Sequence, residues 1–416
     1  MLFIPGNAVI GQSGGPSAAI NATLCGAIRG MLEHAPGCRL YGMRNGIEGL
    51  LDERLIDLTD RFTLEDGRTP DDDALELLSH TPAAALGSCR RKLPDPNGDD
   101  VAVYERLLAI FKKYSITTFF YIGGNDSMDT VAKLSAYTDR VGYPMCVIGV
   151  PKTIDNDLPC TDHSPGFGSA AKYVATVMQE ILLDCAVYTV PAVTIVEIMG
   201  RDAGWLATAA AVGTHQPDYI YLPERAFSLE RFFDDVRAAL TRHPNVVVAV
   251  SEGIRFADGT PVGLSVQSGG QATDVFGHRA LAGAAKALEF AVQKQIGCKV
   301  RSIELNLPQR CAGHLLSATD IEESLRTGLA AVEAAKEGKS EIMMVIERQS
   351  NTPYRSQIAC APILRIANGV RHVPSHFIAP EGNHVSAECR AYLLPLLEGE
   401  IALPWQGGIP RFFRFD

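Results

Sequence analysis

"YIGGNDSMDT", residues 121–130, runs an apolar strand into two glycines and sets Asn-Asp-Ser where a helix should begin. The strand, within ITTFFYIGG, is a continuous apolar run. Such a run between helix-patterned segments marks a parallel strand covered on both faces. The amphipathic stretch VAVYERLLAIFKKYS precedes it and SMDTVAKLSAYTDR follows, both with helical periodicity. A glycine turn between such a strand and helix offers free N–H groups to a phosphate. Asp126 puts a carboxylate at the mouth of that turn. The question is which phosphate donor such a mouth admits.

The same unit recurs along the chain. NAVIGQSGG reads as strand and turn, and PSAAINATLCGAIRGML as a helix with Pro16 in its first turn. PMCVIGV is a further short strand. In the second half, apolar strands at AVTIVEIMG, DYIYLP, NVVVAVSEG, KVRSIEL and EIMMVIER alternate with helices. Those helices are SAAKYVATVMQEILLDCAVY, AGWLATAAAVGT, SLERFFDDVRAALTRH, FGHRALAGAAKALEFAVQKQIG and ATDIEESLRTGLAAVEAAKEG. The expected fold is α/β: two doubly wound, Rossmann-like domains with largely parallel sheets and an active site in the cleft between them. Residues 1–160 with about 311–360 would form a phosphate-donor domain, and 161–310 with about 361–416 a sugar-phosphate domain. The polar stretch 52–100 is expected to be a loop-rich excursion.

Of the 416 residues, 46% are hydrophobic and 21% charged, enough for ordinary cores. A net charge of −10 and the lack of a long Lys/Arg run argue against nucleic acid and anionic membrane as partners. An anionic substrate therefore needs specific Arg and Lys residues inside a cleft. The ten cysteines form no CxxC pair. Cys25, Cys38, Cys89, Cys146, Cys160 and Cys185 are expected to be buried free thiols of a cytoplasmic protein. The first residues lack a basic stretch and cleavage site, so no signal peptide is expected. No apolar run reaches the roughly 20 residues that span a bilayer.

In open α/β sheets, ligands bind at the carboxyl ends of strands. At the first such end, Gly14 and Gly15 can adopt positive φ and bring backbone N–H groups to an anion. GGNDS, including Gly124 and Asn125, repeats the design, although Asn and Asp also serve as N-caps. PKTIDNDLP sets Thr153, Asp155 and Asp157 at alternate positions, so as a strand end it would project them to one side, beside Lys152. A carboxylate near a substrate hydroxyl can serve as the base of phosphoryl transfer. EIMGRDAG, SEG and VRSIELNLPQR supply Arg201, Glu252, Arg301 and Arg310 at further strand ends. Arginine forks there suit an anionic sugar phosphate.

GGNDS, PKTIDND, MGR, SEG and QR, in this order over most of the chain, resemble the phosphofructokinase family, and its pyrophosphate-dependent branch in particular. The resemblance implies that Asp155 takes the proton of the sugar 1-hydroxyl, with Thr153 and Asp157 lining that hydroxyl. Met199, Gly200 and Arg201 would hold the sugar phosphate and Glu252 its hydroxyls. Arg301, reaching in from a neighbouring subunit, and Arg310 would grip the 6-phosphate. Gly14, Gly15, Gly124 and Arg90 would contact donor phosphate, and Asn125 would help hold Mg²⁺. ATP-using relatives resemble this chain but carry glycine in place of Asp126 and Lys152. Asp126 would fill the space of an α-phosphate, while Lys152 adds charge for a compact donor. The implied reaction moves phosphoryl reversibly from pyrophosphate to fructose 6-phosphate, in a homodimer or homotetramer of glycolysis and gluconeogenesis. The alternatives are an ATP-dependent phosphofructokinase, a non-catalytic regulatory subunit, or a kinase of another phosphorylated sugar such as sedoheptulose 7-phosphate.

The chain departs from the family pattern at Asn125, usually Asp, at Leu307, usually His, and at Ala192, often Arg. The segment from His372 onward carries no recognisable chemistry. Its His372, His376 and His384 fit no metal spacing, and it is expected to pack on the second domain.

Overall fold

The computed structural model describes residues 6–67, 69–98, 100–266 and 283–415. The strands of its two larger sheets, in chain order, are β1 (Asn7–Gln12), β2 (Leu40–Met43), β3 (Leu55–Asp57), β4 (Ile116–Gly123), β5 (Cys146–Pro151), β6 (Ala192–Ile198), β7 (Tyr219–Tyr221), β8 (Asn245–Ser251), β9 (Lys299–Glu304), β10 (Ile342–Asn351) and β11 (Tyr354–Pro362). One sheet has the order β11-β10-β5-β4-β1-β2-β3 and a second the order β7-β8-β6-β9. Every pairing in the second sheet is parallel. In the first sheet, only the edge strands β3 and β11 pair antiparallel.

Both faces of the first sheet are covered, which explains its unbroken apolar strands. Val9, Phe119 and Tyr121 belong to one core layer, while Ile10, Phe120 and Ile122 belong to the opposite one. The helices Ile20–His34 and Ala318–Lys336 close the latter face. They meet backbone to backbone at two glycines. A Cβ at Gly26 would lie 2.0 Å from the Leu325 carbonyl oxygen, and one at Gly328 2.0 Å from that of Thr23.

Register brings the turns together. Gln12 pairs with Ile122, and Gly123 with Pro151. In the second sheet Ile198 pairs with Ser251, and Glu197 with Glu304. Parallel strands that finish level line up their carboxyl-terminal turns, and those of both sheets converge on one cleft.

Several local expectations change. The first helix starts at Ile20, so Pro16 lies outside it. Residues 16–19 instead run along the 80s loop, where the Ala83 N–H donates to the Ser17 carbonyl. The 203–214 region contains a short helix, Trp205–Thr208, and one 3-10 turn, Ala209–Ala211. The helix read from Phe276 is described as Ala284–Gln295, and residues 276–282 lie outside the described residues. The stretch 52–100 holds β3 and the helices Leu58–Arg61 and Asp72–Ser79, both N-capped by aspartates. The C-terminal segment packs on both halves. Cys389 and Leu393 enter the core that includes Ile198 and Trp205, while Phe413 stacks on Phe62 at 5.4 Å in the first sheet's core. All ten cysteines are free, but of the six expected to be buried Cys146 is only half-buried and Cys160 is exposed.

Behind the cleft lies a buried charge cluster. His163 bonds Glu323 at 2.6 Å and Asp162 at 2.8 Å. Burial alone would push the imidazole down, but the Glu323 and Asp162 carboxylates outweigh it and hold it up at about 9. A pKa raised on folding stabilises fully below the unfolded value of about 6.5 and stops doing so as pH rises through about 9. The thermal midpoint is therefore expected to fall between pH 7 and 10. His163→Gln should lower it at pH 7, by an equivalent of about 3 kcal/mol, and flatten that decline, as a pH series of melting curves would show.

Candidate active site

The cleft encloses a cavity of about 510 Å³. A wider depression of about 920 Å³ lies beneath the C-terminal segment, but none of the strand-end turns lines it. Chemistry therefore selects the smaller space.

On one wall, the turn after β1 holds Gly14 at φ +76°, a value that favours glycine. The Lys152 ammonium donates to the Gly15 carbonyl at 2.5 Å, and a Cβ at Gly15 would come within 3.2 Å of the Arg310 guanidinium. Because the first helix begins only at Ile20, this turn offers no helix end, and the Gly14 N–H is already donated to the Cys89 carbonyl at 3.1 Å. The helix Asn125–Arg140 differs, for it starts directly in the cleft. Gly124 is its N-cap, and no side chain caps it. Asn125 and Asp126 therefore do not serve as caps, and the first turn faces the cavity. Asp126 is exposed at the mouth and ion-paired with Lys92 at 3.0 Å.

Thr153, Asp155 and Asp157 all line the cavity. They do not alternate along a strand, since β5 ends at Pro151. A turn with Asn156 at φ +53° collects them, and the Asp155 N–H donates to the Thr153 hydroxyl at 3.1 Å. Burial raises the Asp155 carboxyl, with Lys152 and Arg201 pulling it back. Burial and then the charge of Asp155 push Asp157 up to about 7. Lys152, almost wholly enclosed, is pushed down to about 8 by burial despite the two carboxylates.

The opposite wall comes from the second sheet. Met199 and Arg201 line the cavity after β6, and Glu252 after β8. The Gly200 N–H donates to the Glu252 carboxylate at 3.3 Å. Burial pushes Glu252 up to about 7. Gly200 has φ +146°, and a Cβ there would meet the Ala203 carbonyl at 2.6 Å.

The structure thus gathers Gly14, Gly15, Arg90, Gly124, Asn125, Asp126, Lys152, Thr153, Asp155, Asp157, Met199, Arg201, Glu252 and Arg310 around one space. Arg310 stands against the donor-side turn and close enough to Arg90 to feel its charge. Arg301 is not among them. It sits on the edge strand β9 and pairs loosely with Asp184 at 3.7 Å. Leu307 is half-exposed and outside the cavity lining, and Ala192 starts β6 at the far end of its sheet.

Residues unmarked in the sequence complete the cleft. Asn368, Gly369 and Val370 line it from the C-terminal segment. Gln309 is buried, and its side-chain oxygen accepts the Met199 N–H at 3.0 Å, which fixes the turn carrying Arg310 against that carrying Arg201. The quoted QR dipeptide was the available signal for Gln309. Nothing in the local pattern of residues 368–370 distinguishes them from a surface loop.

One buried oxygen tests for a metal. The Asn125 amide donates to Asp157 at 3.2 Å, while its carbonyl oxygen is buried without a partner. An unpaired carbonyl beside a carboxylate suits a hard cation that keeps most of its waters and binds largely through phosphate oxygens. Among the described residues no group of three or more His, Cys, Asp or Glu could hold a metal by itself.

The phosphofructokinase family model matches residues 7–335, and the chain belongs to that family. A pyrophosphate–fructose 6-phosphate 1-phosphotransferase of Halomonas elongata is 40% identical over 97% of this chain and 95% of its own length. One of Xanthomonas campestris is 42% identical over 98% of this chain and 95% of its own. The crystal structure of a pyrophosphate-dependent phosphofructokinase of Marinobacter aquaeolei superposes with a TM-score of 0.83 at 39% identity, covering 98% of this chain and 95% of the other. No helix among the described residues is long and apolar enough to cross a membrane.

Removing Lys92 uncovers the Asp126 charge. Lys92→Ala is expected to weaken binding of pyrophosphate about two- to fivefold at low salt, the scale of an exposed ion pair. The loss should shrink at high salt and vanish in an Asp126→Asn background. Calorimetric titration of all four proteins would check this.

Proposed function

We propose that this chain transfers a phosphoryl group from pyrophosphate to the 1-hydroxyl of fructose 6-phosphate, giving fructose 1,6-bisphosphate and phosphate. The observation that carries the donor assignment is the pair Lys152 and Asp126. A buried ammonium stands beside the first glycine turn, where a compact anion can meet it. A carboxylate stands at the mouth, where a nucleoside would have to pass. Because Lys92 neutralises much of its charge, Asp126 excludes a longer donor mainly by occupying space. The names of the similar Halomonas and Xanthomonas proteins support this reading.

In this reading Asp155 accepts the proton of the 1-hydroxyl as the sugar oxygen attacks the terminal phosphorus of the donor. The bond to the bridging oxygen breaks, and phosphate leaves. A carboxylate raised by burial is a better base, and Lys152 and Arg201 pull part of that rise back. Lys152, Arg90, Arg310 and the N–H groups opening the helix Asn125–Arg140 neutralise the phosphates. Positioning and charge do most of the work, and the modest energy of the pyrophosphate bond makes the step reversible. Phosphoryl transfer in this family generally uses a divalent metal. We assign Mg²⁺, held by Asn125 and Asp157, which when bound would spread the charge of the transferring group.

Residues 1–160 with about 311–360 would bind the donor, and 161–310 with about 361–416 the sugar phosphate. Arg301, away from its own cleft, would serve a neighbouring copy in a homodimer or homotetramer.

The purified chain with fructose 6-phosphate and Mg²⁺ is expected to form fructose 1,6-bisphosphate with pyrophosphate and not with ATP. Turnover with ATP alone would overturn the donor assignment. Asp126→Gly combined with Lys152→Gly should raise ATP use and cut pyrophosphate use, read as kcat/KM for each donor. Asp155→Asn should lower kcat about 10²- to 10⁴-fold with smaller changes in KM, measured in steady state.

A further inference from the structure

After β11 the chain crosses the back of the cleft through residues 366–373 and touches three of its parts. Asn368 reaches Asp129 of the helix Asn125–Arg140 at 3.5 Å. Gly369 lies so close to Pro159 that a Cβ would come within 2.7 Å of its ring. Val373 donates its N–H to Glu224, whose carboxylate oxygen also accepts the Gly204 N–H, both at 2.9 Å.

Arg371 is the centre of this crossing. Its own N–H donates to the Asp157 carbonyl at 2.7 Å. Its guanidinium reaches the Asn156 side chain at 3.4 Å, the Thr161 carbonyl at 3.3 Å and the Tyr392 hydroxyl at 3.2 Å. The same group stacks 4.2 Å over Trp205, whose indole N–H donates to the Arg371 carbonyl at 2.9 Å. Asn156 belongs to the turn that carries Asp155 and Asp157, and Trp205 follows the loop that carries Arg201. The first turn hangs from β5 of one sheet and the second from β6 of the other.

We propose that Arg371 is a positioning residue that sets the distance between the turn bearing the base and the loop bearing Arg201. The planar fork suits the task, since one face stacks on Trp205 while its edge bonds the turn. A lysine can do one or the other. Phosphoryl transfer depends on in-line placement, where a misplacement of about 1 Å costs roughly 100-fold. The kinetic part of this inference rests on the activity proposed above.

The test compares wild type with Arg371→Met, Arg371→Lys and Tyr392→Phe. With pyrophosphate, Arg371→Met is expected to lower kcat about 30- to 100-fold while KM for pyrophosphate stays within about threefold. Arg371→Lys should recover little of it. Tyr392→Phe, which removes one hydroxyl and its bond to the Asp162 carbonyl, should lower kcat several-fold with only a small fall in thermal midpoint. Hydrogen exchange reads the same geometry without turnover. Amides of residues 153–164 and 199–205 should exchange faster together in Arg371→Met. A kcat within threefold of wild type would overturn the proposal, as would unchanged exchange in either segment. So would a parallel loss of activity and thermal midpoint that lysine restores. If wild type itself turns over only with ATP, the donor reading fails, and the same comparison with ATP still decides the role of Arg371.

Discussion

The ammonium of Lys152, bonded to the Gly15 carbonyl and near enough to the Asp155 and Asp157 carboxylates to feel their charge, is the interaction on which the cleft depends. Without it, two carboxylates would share a poorly solvated space with less to hold back the rise in their pKa values. Its charge works against that rise at both carboxylates, and its bond to the Gly15 carbonyl ties the β1 turn to the β5 turn. Burial lowers the ammonium's own affinity for its proton, so the site is primed to gain from any arriving anion. A compact phosphate would restore what desolvation removed.

The rest of the structure keeps that arrangement in place. Parallel strands of matched register deliver the turns after β1, β4 and β5 to one edge, and those after β6 and β8 to the facing one. Asp320 accepts the N–H groups of Gly166 and Ser169, which anchors the helix that follows the catalytic turn. The His163 cluster and Arg348, itself stacked on Tyr392, lock the same segment to β10. These groups are largely buried and hydrogen-bonded to one another, with one Arg348 Nη2 left unpartnered, so each loss would leave a charge or dipole stranded.

Glycines mark where this packing leaves no room. Gly26 and Gly328 let two helices touch, and Gly200 and Gly253 let the turns after β6 and β8 interlock, with a Cβ at Gly253 falling 1.9 Å from the Arg201 carbonyl. The glycines at the cleft have a different purpose. A Cβ at Gly124 would make only ordinary contacts, 3.6 Å from the Lys152 carbonyl and 3.9 Å from Thr153, so packing alone does not demand glycine there.

The alternation of apolar runs and helical periods determined the parallel fold, because two-sided burial demands unbroken apolar strands. The turns GGNDS, PKTIDND, MGR and SEG likewise announced the cleft, since small, acidic and basic residues have no packing reason to cluster at strand ends. Geometry within those turns was not legible. Thr153, Asp155 and Asp157 were read as a pleated strand end and are gathered by a turn, because Asn156 adopts a positive φ that no periodicity encodes. Asp126 was read as filling and charging the mouth of its turn, but its partner Lys92, on a distant loop, was not legible. The approach of Arg310 to Gly15, across from the turn that Gln309 bonds at Met199, was not legible either. The segment 366–373 carried no signal at all, for most contacts of Arg371 are with residues more than 150 positions earlier in the chain and the other is with Tyr392. Local pattern reports which face of an element is buried; only the folded chain decides which charges meet.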